Sequence, residues 1–172
     1  DCLLSRGLGD VYKRQELCEK FIKKTGIKAT GFDEKNINNW FEVIEERVAV
    51  LKKQSYEQSK WELVEMAAFL GNQLVKYLDG EWYHFVSKDH ESCSIINCNT
   101  AYSCTNCLKV LVGGYTKNGM DWVKEIFLER CKKKIVKNSY NISKMWLQYN
   151  IGNLKDAVDI DGHVNQFICA FT

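Results

Sequence analysis

The chain has 172 residues, of which 45% are hydrophobic and 27% are charged, and this balance suits one globular domain with a sizeable core. A formal net charge of +2 is too small to indicate binding to nucleic acid or to an anionic membrane surface. No apolar run approaches the roughly 18 residues that a membrane span requires, and no stretch has the pattern of a secretory signal. We therefore expect a cytoplasmic protein that binds neither nucleic acid nor membrane.

Residues 1–15 differ from the rest of the chain. The stretch Cys2–Gln15 resembles translated adapter or assembly sequence found at the ends of metagenome-derived proteins, and it holds two of only four arginines, against twenty lysines. The alternative is a native, disordered N-terminal arm. We predict a tail over residues 1–15, non-native or disordered, and a single domain over residues 16–172. The absence of proline and the abundance of lysine and asparagine are typical of an AT-rich bacterial genome.

The first two helices are predicted from apolar residues at helical spacing. The first covers Glu16–Lys24 and is ended by Gly26. Its apolar residues are Leu17, Phe21 and Ile22. Asp33 is placed to cap the second helix, which ends near Ser55. The predicted buried face of that helix consists of Ile37, Trp40, Phe41, Ile44, Val48 and Leu51.

The best-specified segment of the chain begins at Ser59. Ser59-Lys60-Trp61-Glu62 has the form of a capping box and predicts the start of a long helix. Gly71 lies on its apolar face, where a glycine usually allows another backbone to approach closely. Asp79-Gly80 is predicted to end the helix. The whole predicted apolar face consists of Trp61, Val64, Ala68, Gly71, Leu74, Val75 and Leu78.

Two strands are predicted after this helix. Glu81–Val86 is rich in aromatic and β-branched residues, which favours a strand. Ser92–Cys98 follows a polar turn and is predicted to be the returning strand. The helices that flank the Ser55 connection would form an αα-hairpin. These elements predict an α+β fold in which an N-terminal helical hairpin packs on a small antiparallel sheet, followed by further helices.

The further helices are predicted in the last third of the chain. Cys107–Val112 is an apolar segment that Gly113-Gly114 would break. Asn118-Gly119 predicts a turn, and Met120–Val136 predicts an amphipathic helix. The apolar residues of that helix are Trp122, Val123, Ile126, Phe127 and Ile135.

Short motifs over residues 59–130 resemble those of a known group of domains. Leu70-Gly71-x-x-Leu74, Gly80-x-Trp82 before a hairpin, and Asn118-Gly119 opening a helix are similar to motifs of small bacterial α+β domains of unknown function. Some members of this group are regarded as immunity proteins of polymorphic toxin systems. The resemblance therefore implies a cognate toxin-like protein as partner. It implies no catalytic residues, because the group has none established.

Cys104-Thr105-Asn106-Cys107 is the sharpest chemical motif in the sequence. Together with Cys93 and Cys98 it has the composition of a zinc site, but the odd separation of Cys93 and Cys98 places them on opposite faces of a regular strand. Thioredoxin-like sites place such a motif in a βαβ pattern, which is not predicted here. We therefore expect the seven cysteines after residue 15 to behave as small buried hydrophobic residues, without disulfides.

Other candidate residues also favour structural interpretations. Of the histidines His84, His90 and His163, only His84 lies near the cysteine motif in the predicted fold, and nothing in the sequence positions it as a base. Asp159-Ile160-Asp161-Gly162 lacks the later ligands of a calcium loop. The run Lys132-Lys133-Lys134 suits a solvated helix C-terminus, and Gly113-Gly114 lacks the spacing of a P-loop.

We therefore expect no catalytic, cofactor-binding or metal-binding residues, and we interpret the chain as a non-enzymatic protein-binding module such as an immunity-type protein. Two alternatives remain open. One is an enzyme in which Cys104 or Cys107 is a nucleophile paired with a histidine, which requires a thiol of low pKa. The other is a small zinc-stabilised domain, which requires stoichiometric metal.

Overall fold

The computed structural model describes residues 11–78, 80–86, 91–97 and 103–132. Its elements, in chain order, are α1 (Val11–Thr25), α2 (Glu34–Leu51), α3 (Tyr56–Leu78), β1 (Gly80–Val86), β2 (Glu91–Asn97), β3 (Ser103–Thr105), α4 (Cys107–Gly113), a π-helix (Gly114–Asn118) and α5 (Met120–Lys132). Within these ranges, no helix combines the length and the apolar character that crossing a bilayer requires.

The predicted α+β class is wrong, because the described part of the chain is mostly helical. The α-helices have 15, 18, 23, 7 and 13 residues, whereas the strands have 7, 7 and 3. Helices pack chiefly on other helices, with α1 on α3, α3 on α4 and α2 on α5. The sequence pattern of a hairpin predicts strands, but it does not show whether the helices pack on those strands or on one another. Here the helices bury their apolar faces against one another.

The strands form one small antiparallel sheet in the order β1-β2-β3. Tyr83 of β1 lies opposite Ser94 of β2, and Ile96 of β2 lies opposite Cys104 of β3. Among the residues whose side chains the structure describes, the buried hydrophobic ones lie in helices, except Ile27 in the loop between α1 and α2. Trp82 of β1 packs against this helical core.

Helix α2 buries one continuous face, and this prediction is confirmed. Asp33 caps the helix, since its carboxylate accepts from the backbone N–H of Asn36 at 2.9 Å. All six residues of the predicted face are buried. Trp40 is fully buried, and its Nε1–H donates to the carbonyl of Lys28 at 3.1 Å.

Six aromatic rings from four helices and the loop before α2 meet at this face, and we call them the aromatic core. Trp40 lies edge-on to Phe69 of α3, with ring centroids 5.7 Å apart. The other neighbouring pairs have centroids 5.5 to 6.4 Å apart. These distances are typical of tilted and edge-to-face aromatic pairs. The aromatic core consists of Phe21, Phe32, Trp40, Phe41, Phe69 and Phe127.

Helix α3 begins at Tyr56, three residues before the predicted start, so the capping box predicted at Ser59 is wrong. Ser55 caps the helix instead: the Gln58 side chain accepts from the Ser55 backbone N–H at 3.1 Å, and the Ser55 hydroxyl accepts from the Gln58 N–H at 3.4 Å. Ser59 is buried and donates its hydroxyl to the carbonyls of Leu51 and Ser55. Two consecutive segments, Ser55–Gln58 and Ser59–Glu62, fit the capping-box pattern, and the earlier one starts the helix.

Helix α1 begins at Val11 and continues across the predicted boundary at residue 15. Arg14 is only 8% exposed, and its guanidinium carbon lies 5.0 Å from the centroid of the Trp82 ring. The division of the chain at residue 15 itself stays a prediction. Gly26 follows the helix with a φ of +69°, which confirms its predicted role.

The close contact predicted at Gly71 exists, although its partner is a side chain and not a backbone. A Cβ on Gly71 would lie 2.3 Å from Cζ2 of Trp82. The Trp82 indole also donates from Nε1 to the side-chain oxygen of Asn72 at 3.2 Å. Because Gly71 has no side chain, the Trp82 ring of β1 can pack directly against α3.

Gly113-Gly114 does not break the helical path, contrary to the prediction. Both glycines have right-handed φ and ψ, and α4 passes directly into the π-helix Gly114–Asn118. Its closing hydrogen bond runs from the Gly119 N–H to the Gly114 carbonyl at 2.9 Å. Gly119 has a φ of +82°, which confirms the turn predicted at Asn118-Gly119. The predicted end of the last helix at Val136 lies outside the described residues.

Candidate functional site

Two tryptophans predicted to be buried are partly exposed. Trp61 of α3 is 49% exposed and Trp122 of α5 is 38% exposed. The ring of Trp122 rests near Gly113, whose Cβ, if present, would lie 3.4 Å from it. On the predicted face of α3, the residues that are buried as expected are Val64, Ala68, Gly71 and Leu74.

The last turn of α1 is joined to α3 one residue after Trp61. Lys24, in that last turn, bonds to Glu62 and Glu65 of α3 at 3.0 and 2.7 Å. Since α1 ends at Thr25, these ion pairs lie at its C-terminal end. Trp61 lies on the neighbouring face of α3 with Val64 and Ala68, and spacing alone does not show which turns of that face are covered.

Four charged side chains join α1, α2 and α3 next to Trp61, and we call them the ion-pair cluster: Lys24, Arg47, Glu62 and Glu65. The guanidinium of Arg47 donates two hydrogen bonds to the Glu62 carboxylate, of 2.7 and 3.0 Å. Such bidentate pairs are stronger and more directional than single contacts. The side chains of Glu62 and Glu65 are only 11% and 13% exposed.

The electrostatics of the cluster favour the ionised forms of Glu62, Lys24 and Arg47. Burial raises the pKa of Glu62, but the hydrogen bonds and charges of Arg47 and Lys24 outweigh burial, so the pKa is lowered overall. Burial lowers the pKa of Lys24, and its bonds to Glu65 and Glu62 outweigh that effect and raise the pKa. The hydrogen bond to Glu62 raises the pKa of Arg47.

The Trp61 surface, as we define it, consists of Trp61 and the charged residues of α3 within one turn of it: Glu57, Lys60, Glu62 and Glu65. Lys60 pairs with Glu57 on the side of Trp61 that faces the start of the helix. Glu62 and Glu65 pair with the ion-pair cluster on the other side. The surface is thus an exposed indole on a rigid helix, bordered by charges that are paired within the chain. An aromatic centre with a polar border is the usual composition of an interface hot spot.

The cysteine motif is divided between two elements. Cys104 belongs to β3, whereas Cys107 is the first residue of α4 and is 1% exposed. Asn106 caps α4 by accepting from the backbone N–H of Lys109 at 2.9 Å. A thioredoxin-like site places the first cysteine of the motif at the helix N-terminus, but here the helix begins at the second cysteine. This arrangement does not match the redox interpretation.

Cys18 and Cys131 are poor nucleophiles. Cys18 and Cys107 are buried, as expected, and Cys131 is partly buried. Burial raises the pKa of Cys18. Burial and the nearby carboxylates of Asp33 and Glu34 raise the pKa of Cys131 to about 11. Since the thiolate is the nucleophile, both groups are nearly unreactive at neutral pH.

Of the remaining candidate residues, His84 of β1 lies opposite Cys93 of β2 in the strand register. No group of three or more histidine, cysteine or acidic side chains among the described residues is arranged to hold a metal ion. The predicted residues that lie outside the described ranges are Cys98, His90, His163, Lys133, Lys134 and the segment 159–162.

Sequence reasoning missed the ion-pair cluster. Its pairs are separated by 15, 38 and 41 positions along the chain, so no local pattern reveals them. The available signal was Glu62 with Glu65, two carboxylates one turn apart on α3 beside its apolar face. Glu62 was assigned to a capping box, and this assignment concealed its role between helices.

The motifs that resemble small bacterial domains have structural roles in this chain. Gly71 and Trp82 pack against each other, and Gly119 adopts the positive φ that follows the π-helix. Comparisons with protein-family models, with curated proteins and with solved structures find no match for this chain.

Proposed function

We propose that this protein is a non-enzymatic protein-binding module that contacts its partner through the Trp61 surface. The observation that carries the proposal is the 49% exposure of Trp61 on a helix that ion pairs fix to both neighbouring helices. Tryptophan is among the residues that contribute most to binding free energy at interfaces. A side chain presented on a rigid element also loses less conformational entropy on binding.

The proposed partner is a cognate toxin-like protein, and the proposed role is that of a bacterial immunity-type protein acting in the cytoplasm. This part of the proposal is supported by the resemblance of the motifs around Gly71, Trp82 and Gly119 to domains that include immunity proteins. The Trp61 surface supports it by supplying a place where a protein partner can bind. An inhibitor of this kind needs a stable contact surface and no catalytic group of its own.

The two alternatives from the sequence stay predictions. An enzyme with a cysteine nucleophile predicts one thiol in the folded protein that is alkylated much faster than the others. A zinc-stabilised domain predicts stoichiometric metal and unfolding by chelators.

The test is to co-express the full chain with the proteins encoded by neighbouring genes and to measure complex formation by light scattering after size-exclusion chromatography. We expect a one-to-one complex with one of them. Because a hot-spot tryptophan contributes about 2 kcal/mol or more, Trp61→Ala should weaken the complex by a factor of about 30 or more. Trp122→Ala is the matched control, because it removes another partly exposed tryptophan, and it should change the affinity less than about threefold.

Thermal unfolding of both variants shows whether they remain folded. Equal affinities of Trp61→Ala and Trp122→Ala for the partner would remove the Trp61 surface from the proposal. If no protein encoded nearby forms a complex with the unmodified chain, the immunity-type role is wrong.

A further inference from the structure

Helix α1 is attached chiefly to one neighbouring helix. Among the described elements, its main contacts are with α3. Phe21 packs on Phe69 in the aromatic core, and Lys24, three residues later, belongs to the ion-pair cluster. Three residues before Phe21, Cys18 is hydrogen-bonded to the side chain of Asn72. Since residues three apart are neighbours on a helix surface, these contacts lie along one side of α1.

The same side of α1 reaches the point at which the sheet meets α3. The Trp82 ring of β1 lies against Gly71 and donates from Nε1 to Asn72 at 3.2 Å. The guanidinium carbon of Arg14, one turn before Cys18, lies 5.0 Å from the centroid of the ring. Asn72 is thus bonded to the sheet through Trp82 and to α1 through Cys18. Trp82 therefore contacts α1 and α3 together, and α1 helps to hold the ring in place.

The loop that follows α1 is fixed a few residues after the helix ends. The carbonyl of Lys28 accepts from Nε1 of Trp40 in α2 at 3.1 Å. The carbonyl of Ala29 accepts from the hydroxyl of Tyr77 in α3 at 2.8 Å. Gly26, just after α1, has a φ of +69°, a region that glycine enters without steric cost. Because the loop beyond it is bound to α2 and α3, a movement of α1 on α3 should take place about Gly26.

We propose that α1 is a strap that closes over Trp82 and opens as one unit about Gly26, and that the attachment of β1 loosens when the strap opens. This device does not depend on the proposed function. Phe21 is fully buried against Phe69, so the closed state dominates and opening is a rare event. Native-state hydrogen exchange detects such partial openings as groups of amides that exchange together.

Lys24→Gln in the full chain tests the strap, because Lys24 lies ten residues, or about 15 Å along the helix, from Arg14. The substitution removes the ion pairs with Glu62 and Glu65 and leaves every contact of Trp82 intact. Mass spectrometry of peptides should show faster exchange in α1 and in β1 by the same factor, of about three to ten. The matched control is Lys20→Gln. Lys20 pairs with Glu16 within α1 and is 55% exposed, so either exchange rate should change less than about twofold.

Trp82→Phe provides the reciprocal measurement, because it keeps an aromatic ring but removes the hydrogen bond to Asn72. Exchange should become faster in α1 as well as in β1, while exchange in α2 changes less than about twofold. Circular dichroism shows whether each variant is folded, and Lys24→Gln decides the question if Trp82→Phe is not.

Two results for Lys24→Gln would overturn the proposal. Unchanged exchange in β1 would show that α1 does not hold the sheet. Equal acceleration in α1, α2 and β1 would show that the whole domain unfolds and that α1 does not open as a separate unit. Faster exchange confined to α1 and the sheet is the result that supports the strap.

Discussion

The aromatic core and the ion-pair cluster join the same three helices with different chemistry. In the aromatic core, Phe21 of α1 and Trp40 of α2 both pack on Phe69 of α3, with ring centroids 5.5 and 5.7 Å apart. All three rings are fully buried. In the ion-pair cluster, Lys24 of α1 and Arg47 of α2 both bind Glu62 of α3. These basic side chains are 37% and 33% exposed, so water and salt reach the cluster from one side.

This difference indicates how much each region contributes to the stability of the packing between the three helices. Complete burial of a large apolar side chain contributes about 1.5–3 kcal/mol, whereas an exposed ion pair contributes about 0–1 kcal/mol. The aromatic core should therefore supply most of the free energy of unfolding. The ion-pair cluster should contribute more to its dependence on pH and salt than the aromatic core does, because the cluster is charged and titratable and the rings are not. The four predictions below test this division, in order of decreasing effect.

The largest effect is expected when Trp40 is truncated. Trp40→Ala leaves a cavity between α2 and α3 and removes the hydrogen bond to the Lys28 carbonyl. The free energy of unfolding in urea should fall by about 3–5 kcal/mol. Trp122→Ala, at a site that is 38% exposed, is the control and should cost less than about 1.5 kcal/mol. Similar losses for the two variants would show that the aromatic core does not dominate stability.

The next effect concerns close packing at a glycine. Gly71→Ala places a methyl group 2.3 Å from the Trp82 ring, so the indole must move. Overpacking of this kind costs about 1–3 kcal/mol, and the gain of up to about 1 kcal/mol from alanine in a helix offsets only part of it. Thermal and urea unfolding measure the net loss.

Gly113→Ala is the matched control for Gly71→Ala. Its backbone is helical, and the new methyl group would lie 3.4 Å from the Trp122 ring, an ordinary contact distance. The substitution should leave stability unchanged or raise it by up to about 1 kcal/mol. Opposite signs for the two glycines would confirm that Gly71 is retained for the Trp82 contact. Equal increases in stability would show that the Trp82 ring moves aside without a measurable cost.

The third effect tests the ion-pair cluster. Glu62→Gln removes the charge that Lys24 and Arg47 share, and we expect a loss of about 1–2 kcal/mol at pH 7, between the values for exposed and buried pairs. The folded-state pKa of Glu62 is lowered, so its ionised form stabilises the fold above the unfolded-state pKa of about 4.3. This contribution is lost as the pH falls below that value and through the folded-state pKa. The difference between the two proteins should therefore be largest near pH 7 and shrink towards pH 3.

Glu57→Gln is the control for Glu62→Gln, because the Glu57 side chain is 74% exposed in its pair with Lys60. It should cost less than about 0.5 kcal/mol. High salt should weaken the effect of Glu62→Gln and leave the loss from Trp40→Ala nearly unchanged. A pH-independent loss for Glu62→Gln would mean that the carboxylate acts through packing and not through its charge.

The same two regions show what could be predicted from the sequence. The buried face of α2 follows from residues three and four apart, and its cap follows from Asp33, because both signals are local. The partners of Glu62 lie on two other helices, so only the folded chain brings them together. The fold class was missed for a related reason: a hairpin pattern predicts strands, but it does not show that α3 would bury its apolar face chiefly against α1 and α4.

The exposure of Trp61 could not be predicted from the spacing of apolar residues along α3. Spacing along α3 places Trp61 on the same face as Val64 and Ala68, which are both fully buried. The structure nevertheless leaves Trp61 49% exposed. Spacing assigns a residue to a helix face, but it does not show which turns of that face the rest of the chain covers.

The smallest effect on stability is expected for Trp61→Ala. About half of the indole already contacts water, and alanine is a better helix former by about 0.5 kcal/mol. The free energy of unfolding should therefore change by less than about 1 kcal/mol, against about 3–5 kcal/mol for Trp40→Ala. Urea unfolding of both variants under one set of conditions gives the comparison. A loss above about 2 kcal/mol would place Trp61 in the structural support of α3. Loss of partner binding in that variant would then report unfolding, whereas loss of binding at unchanged stability assigns Trp61 to the interface.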